Sequence, residues 1–234
     1  MKVEESYLLA HIDPEGDYLY RLWRATNIHT IHGHMASGHL QGRLLKMFVM
    51  MQKPRLILEV GTFSGYSAIC MAQGLMELDR SVATTQADSN DLSATHDGAK
   101  KQRRVYTFEI NDEMEDFTRP WIENSPVAKY IDFRIGDAMT EAPKLGVKFD
   151  MAFIDGDKRN YVETLDAIYP LMNAGAIIIA DNTLWDGHVV DSAYDHDSQT
   201  VGIRRFNDSL AQDDRFEKVI VPVRDGLTII RKKQ

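Results

Sequence analysis

The chain has one cysteine, Cys70, in 234 residues, so no intrachain disulfide can hold it together and a reducing compartment suits it. Nowhere do apolar residues run on for the roughly 18 positions that a membrane helix needs, so no membrane contact is expected. The opening Met1-Lys2-Val3-Glu4-Glu5 carries no apolar stretch of the kind that directs secretion, and the cytoplasm is the expected compartment. Positive charge is also short: 27 Lys and Arg stand against 35 Asp and Glu, a net charge of −8. That balance argues against a nucleic-acid partner. What remains is an ordinary globular composition, long enough for one sizeable α/β domain over residues 1–234.

Short β-branched runs alternate with helical patterns, the signature of βαβ units around a parallel sheet. The expected strands are Arg55–Val60, Val105–Glu109, Ile131–Ile135, Phe149–Ile154 and Ala176–Ala180. Lys218–Val223 and Leu227–Arg231 flank Arg224-Asp225-Gly226, and Asp-Gly between two such runs predicts a closing antiparallel hairpin. Tyr161, Leu165, Ile168 and Met172 fall on one helical face, and Val201, Phe206 and Leu210 form a looser one. Residues 1–38 read as a partly helical N-terminal cap, with a helix from Asp17 to Ala25. Residues 79–104 are rich in Ser, Thr, Asp, Asn and Ala and end in Lys100-Lys101-Gln102-Arg103-Arg104. Composition marks them as a long, flexible insertion.

The most informative segment is Leu58-Glu59-Val60-Gly61-Thr62-Phe63-Ser64-Gly65-Tyr66-Ser67, a strand running through a glycine turn into a helix. In a doubly wound sheet that turn lies at the carboxyl edge, where ligands bind. Gly61 and Gly65 let the backbone turn tightly and approach a ligand closely. The spacing is Gly-x-x-x-Gly rather than the Gly-x-Gly-x-x-Gly of dinucleotide sites. Glu59 beside it favours a sulfonium or amino group over a pyrophosphate. Glu109, at the end of the second strand, suits ribose hydroxyls. Gly136-Asp137-Ala138 would line the adenine side of the same cleft.

A second constellation is made of oxygen. Asp155 follows the fourth strand, and Asp181 and Asn182 follow the fifth. Neighbouring parallel strands bring their carboxyl ends together, so two carboxylates and an amide oxygen can converge. Such a donor set suits Mg²⁺, or Mn²⁺ or Ca²⁺, rather than zinc. Lys158, three residues past Asp155, would lose proton affinity beside a cation and could serve as general base.

These motifs resemble a known family. Leu58–Ser67 is similar to the first glycine motif of class I methyltransferases. Asp155-Gly156-Asp157-Lys158-Arg159-Asn160-Tyr161 and Asp181-Asn182-Thr183-Leu184-Trp185 resemble the cation-dependent O-methyltransferases of the caffeoyl-coenzyme A and catechol type. Pro222–Thr228 is similar to that family's C-terminal hairpin, and the likeness runs from about Met35 to Lys232 with a break at residues 79–104. The resemblance implies a doubly wound, mostly parallel, seven-stranded Rossmann-like sheet in a homodimer. It implies that Met35, Ser37, Glu59, Gly61, Thr62, Ser67, Glu109, Asp137, Ala138 and Asp155 meet S-adenosylmethionine. Asp155, Asp181 and Asn182 would hold the metal, Lys158 and Asp155 would act in catalysis, and Trp185 and Asp186 would meet the acceptor.

The expected reaction is methyl transfer to a hydroxyl of a small acceptor, a vicinal-diol aromatic first of all. The basic run at residues 100–104 and the segment His29, His32, His34, His39 keep a hydroxylated nucleoside of tRNA as the alternative acceptor. The histidines' irregular spacing favours a solvated or substrate-lining loop over zinc. A nicotinamide-dependent oxidoreductase or a non-catalytic nucleotide-binding module are the readings from other classes. The missing dinucleotide spacing weakens the first, and the Asp155, Asp181, Asn182 and Lys158 set weakens the second.

Overall fold

A computed structural model describes residues 5–88 and 102–233. Among the described residues seven strands form one sheet: β1 (Leu56–Val60), β2 (Arg104–Glu109), β3 (Ile131–Ile135), β4 (Phe149–Ile154), β5 (Met172–Ala180), β6 (Phe216–Val221) and β7 (Leu227–Lys232). Their order is β3-β2-β1-β4-β5-β7-β6, so the chain winds outward from β1 in one direction and then, from β4, in the other. β1, β4 and β5 pair in parallel, and β7 runs antiparallel between β5 and β6. This is the doubly wound, Rossmann-like sheet with a C-terminal hairpin that the sequence predicts.

The chain divides into two compact units, each assembled from separate stretches. The first draws its described residues from Met1–Arg55, Phe63–Val105 and Glu113–Phe133, and the second from Leu56–Thr62, Tyr106–Asp112 and Arg134–Gln234.

The first unit is mainly helical: α1 (Glu5–Ala10), α2 (Asp17–His29), α3 (Gly38–Gln52), α4 (Tyr66–Asp88) and α5 (Glu115–Glu123). α2 buries Leu19, Leu22 and Thr26, one face at helical spacing, and runs four residues past the expected Ala25. Gly42 and Gly74 let α3 and α4 approach closely: a Cβ on Gly42 would stand 2.6 Å from Cys70 Sγ, and one on Gly74 would stand 2.8 Å from Val49. Cys70 is therefore a buried packing residue. α4 corrects the expectation of a loop from residue 79, because the helix continues to Asp88. Leu75 and Leu78 are buried, and a helix anchored there extends cheaply into polar sequence. Residues 89–101, where the flexibility of the insertion was expected, lie outside the described residues.

In the second unit, α6 (Ala138–Glu141), α7 (Tyr161–Ile168) and α8 (Ser198–Ala211) accompany the sheet strands. Their apolar faces join β1, β4, β5 and β7 in one core that includes Leu58, Ile154, Ile178, Leu165, Phe206 and Ile230. Tyr161, Leu165 and Ile168 share the face expected of them, but Met172 opens β5 instead. Pro170 ends the helical run before it. β5 also starts four residues earlier than its apolar run suggests. Its first part is largely exposed and joins β4 across a register shift between Phe149 and Met151, so hydrophobicity marks only the buried end. On α8 the buried face is Ile203, Phe206 and Leu210, while Val201 is exposed. No helix among the described residues is long and apolar enough to cross a membrane.

The α8 face gives a direct stability test. Phe206→Ala should cost about 3–5 kcal/mol, and Val201→Ala should stay within about 0.5 kcal/mol of the native chain. Denaturant unfolding of both variants measures this, and equal costs would place the buried face elsewhere.

Candidate active site

The site is built by strand register. Val60 lies opposite Ile154, and Ile154 opposite Ala180, so β1, β4 and β5 end level with one another. Two further bonds continue the ladder: Asp155 N donates to Val60 O at 2.9 Å, and Asp181 N donates to Ile154 O at 3.0 Å. Gly61, Asp155 and Asp181 therefore leave the sheet side by side. Gly61 has φ +92°, and a Cβ there would stand 2.4 Å from Asp155 O, so only glycine fits.

Tyr161 locks this edge. From the first position of α7 its hydroxyl lies within donating reach of Ile154 O (3.3 Å) and Asp181 O (3.1 Å). Its ring also lies 5.2 Å from Lys158 Nζ. Sequence reading assigns Tyr161 to a core face and misses this bridging contact, because periodicity reports burial and not where a hydroxyl ends.

Lys158 is 7% exposed, not a surface lysine, and its Nζ donates to Asp155 Oδ1 at 2.7 Å. Burial alone would push its pKa down, but the Asp155 carboxylate and Tyr161 outweigh burial and raise it. The fall expected beside a cation is therefore not a property of the chain by itself, in which the neighbour is an anion. Gly202 of α8 sets the position of this turn, since a Cβ there would stand 2.6 Å from both Lys158 O and Arg159 Cα.

Asp181 is buried, and its Oδ1 accepts from Asn182 N at 2.8 Å. Asn182 sits at φ +56°, and its Nδ2 reaches Asp225 Oδ2 at 3.4 Å. The hairpin tip packs on the same loop: Thr183 N donates to Gly226 O, and Leu184 N and Trp185 N donate to Asp225 O. Asp225 was read from the sequence only as turn chemistry. Burial, with Asp186 beside it, raises its carboxyl pKa. The donor chemistry fits a hard cation, because Asp155, Asp181 and Asn182 offer oxygen only and leave adjacent strand ends. Among the described residues no group of three or more His, Cys, Asp or Glu is arranged to hold a metal ion, so a cation site here needs the amide of Asn182 as well.

The glycine-loop side is equally specific. Glu59 is wholly buried in β1. Thr62 is buried, its hydroxyl meets Thr107 Oγ1 at 2.6 Å, and its N–H donates to Glu109 Oε2 at 3.2 Å. Glu109 Oε1 accepts from Asn111 N at 2.9 Å, so backbone donors orient both carboxylate oxygens. Asp137 caps α6 by accepting from Met139 N, and Ala138 is buried behind it. Met35, Ser37 and Ser67 belong to the first unit: Met35 is half exposed, and Ser37 and Ser67 are buried near the starts of α3 and α4.

Trp185, Asp186 and Gly187 form a turn with φ values of 47°, 52° and 83°. Of the histidines, His32 and His34 stand edge to face at 6.0 Å, and His39 Nε2 lies 2.7 Å from Asp13 O. In the basic run, Arg103 donates to Pro54 O, Lys53 O and Asp79 Oδ1, and Arg104 to Gln102 Oε1.

The sequence profile of a family described as O-methyltransferase matches residues 10–233. A protein named tricin synthase 2 from Oryza sativa subsp. japonica is 32% identical over 229 residues, covering 93% of this chain and 70% of its own. A caffeoyl-CoA O-methyltransferase from Stellaria longipes is 29% identical over 228 residues, covering 93% of this chain and 84% of its own. Among solved structures, an O-methyltransferase from Bacillus cereus in complex with SAH matches with a TM-score of 0.80 and 26% identity, over 98% of this chain and 96% of that one. An SAH-bound methyltransferase from Podospora anserina matches with a TM-score of 0.81 at 23% identity, over 98% and 93%, and supports the fold.

Gly61 is the position where the geometry leaves least freedom. Gly61→Ala combines a left-handed backbone with overlap onto the Asp155 backbone, and should lower stability by at least about 1–3 kcal/mol. A native denaturation midpoint in that variant would contradict the close β1–β4 approach.

Proposed function

The chain belongs to the O-methyltransferase family, and from that premise we propose that it transfers the methyl group of S-adenosylmethionine to a hydroxyl of a small vicinal-diol phenol with a divalent cation's help. The observation that carries the metal half is the level ending of β4 and β5, which sets Asp155 beside Asp181 and Asn182. Relatives named for tricin and caffeoyl-CoA support a phenolic acceptor. The Bacillus cereus structure with bound SAH supports the cofactor.

In this reading Glu59, Gly61, Thr62, Glu109, Asp137, Ala138 and Asp155, with Met35, Ser37 and Ser67, receive S-adenosylmethionine. The buried Glu59 carboxylate suits the cationic end of that molecule, and Glu109 suits its ribose. Asp155, Asp181 and Asn182 would hold Mg²⁺, Mn²⁺ or Ca²⁺, which when bound makes chelated hydroxyls more acidic. Lys158 takes the acceptor's proton. Asp155, whose charge keeps Lys158 protonated, is also a proposed metal ligand, so the ion pair and metal binding draw on the same carboxylate. Trp185 and Asp186 border the acceptor. The acceptor oxygen then attacks the methyl carbon as the sulfonium's C–S bond breaks, and alignment is the protein's main task.

A homodimer and a cytoplasmic setting belong to the same proposal. Two observations weigh against tRNA as acceptor: the net charge of −8, and the engagement of Arg103 and Arg104 by neighbouring protein groups. Family membership sets aside the oxidoreductase and the inert module.

Transfer from labelled S-adenosylmethionine to catechols, hydroxycinnamoyl thioesters and hydroxylated nucleosides, with Mg²⁺ or EDTA, tests the proposal. Turnover of a catechol or a thioester that stops with EDTA is expected. Asp181→Ala should abolish it while SAH still binds by calorimetry. Full activity of Asp181→Ala in EDTA would remove the metal from the mechanism.

A further inference from the structure

The turn at Trp185–Gly187 is held in an unfavourable conformation. Left-handed φ values at Trp185 and Asp186 are costly for residues with side chains, and such a turn persists only where its surroundings over-determine it. On one side the hairpin tip anchors it, through Leu184 N and Trp185 N to Asp225 O at 2.7 and 3.2 Å. On the other side Arg204 of α8 holds the segment that follows the turn. Arg204 Nε donates to Val189 O at 2.9 Å, Nη1 to Asp195 Oδ1 at 2.6 Å, and Nη2 to His188 O at 2.9 Å and Asp191 O at 2.7 Å.

One planar guanidinium thus gathers three backbone carbonyls and one carboxylate from residues 188–195. A lysine ammonium cannot reproduce that fork. The rest of α8 serves the same loop. Asn207, one turn further along the helix, donates to Thr183 O at 2.8 Å, and Asp197 caps the start of α8 by accepting from Thr200 N at 2.7 Å.

We infer that Arg204 is a positioning residue that fixes the Trp185–Gly187 turn, and so the acceptor side of the site, without touching substrate or cofactor. The inference rests on the proposed role of Trp185 and Asp186 as acceptor contacts. It assigns selectivity for the phenolic acceptor to a helix that lies outside every motif of the sequence. A loss on the acceptor side with cofactor affinity unchanged distinguishes this role from general support of the fold.

The test compares Arg204→Met and Arg204→Lys with the native chain, using caffeoyl-coenzyme A as the acceptor probe. Arg204→Met should lower kcat/KM for the acceptor by roughly 10- to 100-fold, mainly through KM. Arg204→Lys should recover part of the loss, and SAH affinity by calorimetry should stay native. Hydrogen exchange should quicken at residues 186–195 and remain native in β4 and β5. A native acceptor KM in Arg204→Met would overturn the inference. So would a loss of SAH affinity in step with faster exchange throughout the sheet. If the native chain turns over no phenol, the functional reading fails, and the exchange pattern still decides whether Arg204 holds the turn.

Discussion

The parallel register of β1, β4 and β5 is the constraint on which the rest of the site depends. Because Val60, Ile154 and Ala180 lie level, the next residue of each strand leaves the sheet at the same height, and the ladder continues through Asp155 N and Asp181 N. A slip of one residue would turn every side chain of a strand to the opposite face. It would also take Asp155 and Asp181 out of level with Gly61, so the three would no longer leave the sheet side by side. The same apolar contacts that stabilise the second unit therefore fix which polar groups meet at its edge. The close approach of Gly61 to Asp155 O and the Tyr161 hydroxyl between Ile154 O and Asp181 O are the local devices that hold that edge.

Electrostatics at this edge follow from burial. Lys158 is almost wholly removed from water, and an ammonium there is tolerable only beside an anion, which Asp155 supplies at 2.7 Å. The pair is self-satisfied in the chain alone. A reaction that needs a neutral lysine must first weaken this pairing, and Asp155 is the group through which a cation would act. Asp225 and Asp186 form a second acidic pair where the hairpin meets the loop after β5, and α8 braces that loop from the other side. Rigid elements thus carry both halves of the site.

Much of this was legible in the sequence because the relevant chemistry sits at strand ends. Gly61 with Glu59 in front of it, Asp155 after one apolar run and Asp181-Asn182 after the next are local patterns, and the sheet order follows from their alternation. The Asp-Gly hairpin was legible for the same reason. Groups whose role depends on tertiary contact were not. Tyr161 read as core and Asp225 as a turn, and Arg204 carried no sequence signal, since no spacing rule says that one guanidinium will meet four acceptors on another segment. Composition misled at α4, where an anchored helix runs on through polar sequence, and at Met172, whose hydrophobicity continues a helical pattern across a proline.

The level ends of β4 and β5 carry the proposal that Asp155, Asp181 and Asn182 hold a hard cation. Calorimetric titration of Mg²⁺ into the SAH-loaded native chain and its Asp181→Asn variant measures this. One site is expected in the native protein, and its loss in a variant that remains folded and keeps SAH. Equal Mg²⁺ binding in both proteins, or none in either, would contradict it.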